Sequence, residues 1–184
     1  ARGDCGSGSN STKSLSMGGY AAAATSTIDM NIITTFGNAV DFGDLTSAAV
    51  PRAMGIPAHG GIEDGQPRVG DTVTGQQVYF AGNRGLVFGG REAVPSSVTY
   101  TDIDYIEMAS SGNAANFGDL DVGTRLGSGL GNATRSVQGN LYQSGYTNKI
   151  VYVQYATKGN TADFGDRSLN LYNCGSLSNS TRGI

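Results

Sequence analysis

Apolar residues in this chain fall into short runs separated by Gly, Ser, Thr and Asn. Residues 100–108 (Tyr-Thr-Asp-Ile-Asp-Tyr-Ile-Glu-Met) set Ile103, Tyr105, Ile106 and Met108 in partial alternation, and residues 149–155 (Lys-Ile-Val-Tyr-Val-Gln-Tyr) are rich in β-branched and aromatic side chains. Both patterns predict strands, because a side chain on an extended backbone faces alternately in and out. Leu86-Val87-Phe88 followed by Gly89-Gly90 reads as a buried inner strand closed by a turn.

The runs recur. Ile28-Asp29, Gly37-Asn38 and Asp41-Phe42-Gly43-Asp44 are followed by Ile103-Asp104, Gly112-Asn113 and Asn116-Phe117-Gly118-Asp119. Ile150-Val151, Gly159-Asn160 and Asp163-Phe164-Gly165-Asp166 make the third set. In each, Gly-Asn begins nine positions after Ile, and Phe stands four positions after Asn. Two offsets held over three copies identify a repeat protein. A looser phrase starts at Asn10-Ser11-Thr12-Lys13, Asn83-Arg84, Asn132-Ala133-Thr134-Arg135 and Asn179-Ser180-Thr181-Arg182. The predicted units are approximately 1–50, 77–124 and 125–171, with a partial unit at 172–184, or about three and a half repeats.

Phe117 and Phe164 are 47 residues apart, but Phe42 and Phe117 are 75 apart. The excess falls in residues 57–75, which carry Gly, Pro, Asp and Thr without apolar periodicity and read as an inserted loop. Gly and Asn tolerate positive φ, so Gly-Asn and Phe-Gly-Asp are expected to mark turns.

Composition narrows the class. With 29 Gly, no Trp and only 15% charged residues, the chain lacks the Ala, Leu, Glu and Lys that helical bundles want. Regularly placed Ile, Val, Tyr and Phe argue for an ordered core over disorder. The expected fold is all-β, with blade-like repeats of about 47 residues in one repeat domain or a fragment of one. A net charge of −3 without a basic cluster argues against a nucleic-acid partner. No apolar run approaches the ~18 residues of a spanning helix. The chain opens on Ala1 without a signal-peptide pattern, and reads as a processed end or the start of a fragment.

The order of Arg, a short strand ending Gly-Gly and an Ile-Asp-Tyr-Ile strand resembles a kelch-type β-propeller repeat without its usual Trp, with Gly139-Asn140 in place of one Gly-Gly. Ile103-Asp104-Tyr105-Ile106, Gly112-Asn113-Ala114, Phe117-Gly118-Asp119-Leu120 and Asn179-Ser180-Thr181-Arg182-Gly183 resemble kelch-like repeats in structural and tail-fibre proteins of bacteriophages, notably those of marine and cyanobacterial hosts. The resemblance spans nearly the whole chain outside residues 57–75. It implies a non-enzymatic virion protein, extracellular or on the particle, whose loops are presented to a host-surface glycan or receptor. Its implied partners are other virion proteins or copies of itself. A purely structural assembly protein is the alternative, and a carbohydrate-active propeller enzyme a third reading.

Candidate chemistry is sparse. Asp41 and Asp44, Asn116 and Asp119, and Asp163 and Asp166 flank their Phe-Gly and offer hard oxygens, but their spacing matches no twelve-residue calcium loop. The preferred reading makes Phe42, Phe117 and Phe164 core plugs, with Asp44, Asp119 and Asp166 among the residues that cap the corner. No metal or cofactor is expected. His59, Glu63, Asp64 and Tyr79, in and beside the inserted loop, are the candidate ligand-binding residues. Tyr79, Phe80, Tyr142, Tyr146 and Tyr155 could stack on sugars if exposed.

Arg2-Gly3-Asp4 is an integrin-type tripeptide that also uses the repeat's own Arg-Gly vocabulary. Asn10, Asn132 and Asn179 each begin an Asn-x-Thr sequence at the same repeat position. A shared turn explains them without glycosylation. Cys5 and Cys174 occupy equivalent positions, and free thiols are expected over a disulfide.

Overall fold

The computed structural model describes residues 2–3, 5–9, 12–49, 56–57, 84–91, 98–132, 134–142, 145–171, 175–176, 178 and 182–183. Among them the chain is all-β, in three antiparallel sheets of four strands whose order follows the chain. The first sheet holds β1 (Gly6–Ser9), β2 (Lys13–Met17), β3 (Thr25–Ile32) and β4 (Val40–Ala49). β5 (Ile56–Pro57), β6 (Arg84–Arg91), β7 (Thr99–Glu107) and β8 (Ala115–Asp119) make the second. β9 (Thr124–Gly131), β10 (Arg135–Leu141), β11 (Lys149–Gln154) and β12 (Ala162–Asp166) make the third. No closed barrel is present among the described residues.

The alternating runs form β7 and β11, as the sequence pattern predicts. β5 pairs Ile56 with Leu86 and Pro57 with Gly85, so the second sheet takes its first strand from before the long insertion. Pro57, the first residue of the predicted loop, therefore lies in a strand; residues 58–75 lie outside the described set.

Two predicted turns are bulges. Ile28 faces Gly43 but Asp29 faces Asp41, leaving Phe42 as the extra residue. The same shift sets Phe117 and Phe164 apart in β8 and β12. Phe-Gly-Asp thus lies within a strand, where the bulge turns Phe away from the ladder. Gly89-Gly90 also lies within its strand, at a register shift between Phe88 and Gly90. Gly89 has φ of 50°, and a Cβ there would stand 2.6 Å from the Tyr100 carbonyl oxygen; a β-carbon fits neither the conformation nor the space.

Register also corrects one alignment. Gln138 faces Val151 as Val87 faces Asp104, so Gly139 falls at the position of Phe88, and not at Gly89. The Arg167 guanidinium lies 3.9 Å from the site of a Gly139 Cβ, so an arginine approaches the place that Phe88 fills in the second sheet.

Two apolar clusters hold the sheets together. Leu15, Met17, Ile28, Phe42 and Leu45 of the first sheet pack with Val87, Ile106, Met108 and Ala114. Leu86, Phe88, Ile103, Phe117 and Leu120 of the second pack with Leu141, Val151, Val153 and Tyr155. The middle sheet therefore contributes to both cores, with Val87 facing one neighbour and Leu86 and Phe88 the other. Burial of each such side chain contributes about 1.5–3 kcal/mol.

Candidate functional site

The repeated residues meet where one sheet passes to the next. Gly112 donates its backbone N–H to the Phe42 carbonyl at 2.8 Å, and Ala114 donates to the Asp44 carbonyl at 2.7 Å. Asp44 N–H donates to Asn113 Oδ1 at 3.1 Å. One joint later, Gly159 donates to Phe117 at 2.9 Å, Thr161 to Asp119 at 2.9 Å, and Asp119 N–H to Asn160 Oδ1 at 3.0 Å. The Gly-Asn loop of each later repeat is thus an arm laid along the Phe-Gly-Asp edge of the repeat before it. Gly is required at the crossing: a Cβ on Gly43 would lie 2.4 Å from the Gly112 oxygen, and one on Gly118 2.2 Å from the Gly159 oxygen.

A cation fastens each joint. Lys13 Nζ donates to the Met108 carbonyl at 2.9 Å, and Arg84 donates to the Tyr155 carbonyl at 2.6 Å. Lys13, Arg84 and Arg135 are equivalent by register, facing Ile32, Glu107 and Gln154. Arg84 lies 5.2 Å from the Tyr105 ring centre and Arg135 5.1 Å from that of Tyr152. Arg84 also pairs with Glu107 at 3.0 Å.

The first joint encloses a carboxylate. Asp104 is buried and accepts from Thr46 N–H at 3.0 Å and Thr46 Oγ1 at 2.6 Å. Burial pushes its pKa up, Thr46's two hydrogen bonds pull it partly back, and nearby Asp102 pushes it further up. Val151 replaces this aspartate in the third repeat, and there Asp121 pairs with Lys149. That hydrogen bond is the main cause raising the Lys149 pKa. In the first repeat Arg2 holds Asp29 at 2.8 Å and also donates to the Ser16 and Thr27 carbonyls. Arg2 is therefore committed to the first sheet rather than displayed in an Arg-Gly-Asp tip.

Burial follows the joints. Phe42 and Phe117 are 3% and 2% exposed, but Phe164 is 53% exposed. Met108 and Tyr155 are equally covered at 1% and 3%, whereas Ile33, their equivalent, is 54% exposed. Phe36, at the tip of the first loop, is wholly exposed. Beside Phe164 lies a cavity of about 170 Å³ lined by Leu130, Arg135, Val137, Ser178 and Arg182.

Asp166 lies in β12, paired with Lys149 across the sheet, while Asp163 Oδ1 accepts the Gly165 N–H at 2.8 Å. Of the carboxylates flanking Phe-Gly, Asp163 thus accepts a backbone N–H at the bulge, while Asp44 Oδ1 accepts the Ser26 hydroxyl at 3.0 Å. Asn132 Oδ1 accepts from the backbone N–H of Thr134 and Arg135, both at 2.9 Å, and from the Thr134 hydroxyl, which explains the Asn-x-Thr phrase as a turn. Asn10 and Asn179 lie outside the described residues. So do His59, Glu63, Asp64, Tyr79, Phe80 and Cys174. Cys5 is a free, half-buried thiol. Tyr155 belongs to the core, and burial raises its pKa; Tyr142 and Tyr146 stack edge to face at 5.2 Å.

Among the described residues no group of three His, Cys, Asp or Glu could hold a metal ion, and no helix is long and apolar enough to cross a membrane. No protein-family model matches the chain, and no curated protein matches it in sequence.

The residues that sequence reading missed are Lys13, Arg84, Asn113, Asn160 and Asp104. Their signal was present in the constant offset of Asn from Phe, which reads as one local turn. The contacts join different copies instead, 69 and 41 residues apart.

Proposed function

We propose that this chain is a non-enzymatic structural module of a phage particle, a tail-fibre or particle-surface element outside the cell, whose stacked sheets hold loops toward a host-surface glycan or protein. The sheets are read as blades of a kelch-like propeller, or as units of an open stack built from the same repeat. One observation carries the proposal: the residues held at fixed offsets are used to join sheets, with Asn113 on Asp44 and Asn160 on Asp119 at 3.1 and 3.0 Å. A scaffold whose repeated side chains serve to join its sheets leaves recognition to what departs from the repeat. The inserted stretch 57–75, with His59, Glu63 and Asp64 in it and Tyr79 beside it, is the largest such departure.

Glycan-array binding by the whole chain, compared with a variant lacking residues 58–75, tests this. Binding that is lost on deletion supports the reading. Binding that survives the deletion places recognition elsewhere, and no binding to any glycan or host surface contradicts the recognition role.

The second reading, a purely structural assembly protein, is favoured by the exposed Phe164 at one end of the repeat series and the exposed Ile33 and Phe36 at the other.

A further inference from the structure

We propose that the arm of the first repeat and the corner of the third are two halves of one joint, closed head to tail between copies of this chain. The proposal rests on the structural reading above and names the partner in it: a second copy.

Each internal joint needs an arm with Gly-Asn and a corner with Phe-Gly-Asp, and the chain makes that joint twice. Among the described residues it also shows one half of each kind without its counterpart. Among the described residues, no hydrogen bond of the joint type reaches Gly37, Asn38 or Ala39, all of them exposed. At the other end, among the described residues, no arm lies along Phe164-Gly165-Asp166. A Cβ on Gly165 would meet nothing within 4 Å, whereas one on Gly43 or Gly118 would strike the arm. Gly165, with φ of 135°, has the same open crossing but no arm across it.

Side chains at the two ends match. By repeat position, Phe36 stands where Lys158 stands in the third repeat, and Lys158 lies 4.2 Å from the Tyr105 ring centre. A docked arm would bring Phe36 to Tyr152, which stacks edge to face on the exposed Phe164 at 5.9 Å. Arg135, over Tyr152 like Arg84 over Tyr105, would reach the Ile33 carbonyl as Arg84 reaches that of Tyr155. The first repeat's arm is also the most apolar of the three. It carries Ile32, Ile33, Phe36 and Val40, all exposed, where the third carries Gln154, Tyr155, Lys158 and Ala162. An exposed apolar strip of this kind marks an interaction surface. Arg2 already neutralises Asp29 on the outer face of the first sheet, so docking there would bury a paired charge rather than a bare one.

The C-terminal segment stands over part of the socket. Ser176 and Ser178 donate to the Gly129 and Gly131 carbonyls of β9, and Ser178 bridges to Gly183 as Ser9 pairs with Ser14 in β1 and β2. It therefore holds the place that β1 of an incoming copy takes, and the joint closes by exchanging one for the other. The interface is heterologous, so it builds either a closed ring or an open filament.

Sedimentation velocity on the chain of residues 1–184, up to about 1 mM, tests the proposal, with Phe36→Glu and Phe164→Glu as separate variants. Both positions are exposed, and circular dichroism checks that each variant is folded. The parent should rise in average mass at least twofold with concentration, while each variant stays monomeric. An equimolar mixture of the two variants should give dimers and nothing larger, because each keeps the half that the other has lost. A monomeric parent over the whole range, variants that associate like the parent, or a mixture that stays monomeric would each overturn it. Because glycan binding is read separately, a monomer that still binds glycans defeats this inference alone, and an assembling chain that binds none defeats the recognition role alone.

Discussion

Asn113 Oδ1 accepts the backbone N–H of Asp44 at 3.1 Å across 69 residues of sequence and the boundary between two sheets. Asn160 and Asp119 repeat the contact at 3.0 Å. An amide side chain at a loop tip is satisfying a strand edge that belongs to another repeat. That relationship makes the repeats a stack and gives each copy of Gly-Asn and Phe-Gly-Asp its purpose.

Removing the acceptor should therefore weaken the fold only where a partner exists. Asn113→Ala and Asn160→Ala are each expected to cost about 0.5–1.5 kcal/mol, the net worth of an ordinary hydrogen bond. Asn38→Ala should leave the dilute chain's stability unchanged. Urea melts of the three variants check this; equal losses at all three positions would contradict the joint.

Glycine at the crossing gives a steric version of the same test. Gly118→Ala places a Cβ 2.2 Å from the Gly159 oxygen and is expected to cost about 1–3 kcal/mol, as overpacking does. Gly37→Ala meets nothing within 4 Å and should stay within about 0.5 kcal/mol of the parent. The readout is the shift in denaturation midpoint.

The three phenylalanines should differ although their sequence contexts agree. Phe42→Ala and Phe117→Ala remove buried rings and are expected to cost about 3–5 kcal/mol. Phe164→Ala removes a ring that is 53% exposed and stacks edge to face on Tyr152. Its cost should be nearer 1 kcal/mol. Chemical denaturation of dilute protein gives the comparison.

Asp104 predicts a pH effect of definite sign. Burial raises its pKa above the ordinary 3.8 in the folded chain, so the folded state holds this proton more tightly than the unfolded state does. The stabilisation from that proton is fully present below about 3.8 and is lost as pH rises through the raised value. Asp104→Asn removes the titration. The stability of the parent relative to Asp104→Asn should therefore fall between pH 3.5 and 7, read from urea midpoints in the same buffers. A relative stability that rises over this range would contradict the assignment.

Much of the fold was legible in the sequence because the repeat is strict. Alternation located β7 and β11, whereas Phe-Gly-Asp reads as a turn and proves to lie at a bulge within a strand. The Asn-x-Thr phrase marked a turn that Asn132 closes. What stayed hidden was partnership. A constant interval between Asn113 and Phe117 looks local, and a single sequence carries no sign that Asn113 serves Asp44. The double glycine misled for a related reason: Gly89 tolerates both a turn and a bulge, and its close approach to Tyr100 and Thr124 decides between them only in three dimensions. Asp104 stands in the sequence only as a member of the Ile-Asp phrase, and its bonds from Thr46 join two repeats. The different fates of Phe42 and Phe164 depend on whether an arm from another repeat packs along them, which no local pattern records.

Amide hydrogen exchange, resolved by residue, tests the central claim most directly. In dilute protein, Gly112, Ala114, Gly159 and Thr161 should be protected by their bonds to the preceding repeat, while Gly37 and Ala39 exchange freely. At concentrations where copies associate, Gly37 and Ala39 should become protected as well. Exchange at Gly112 and Gly159 as fast as at Gly37 would contradict the account.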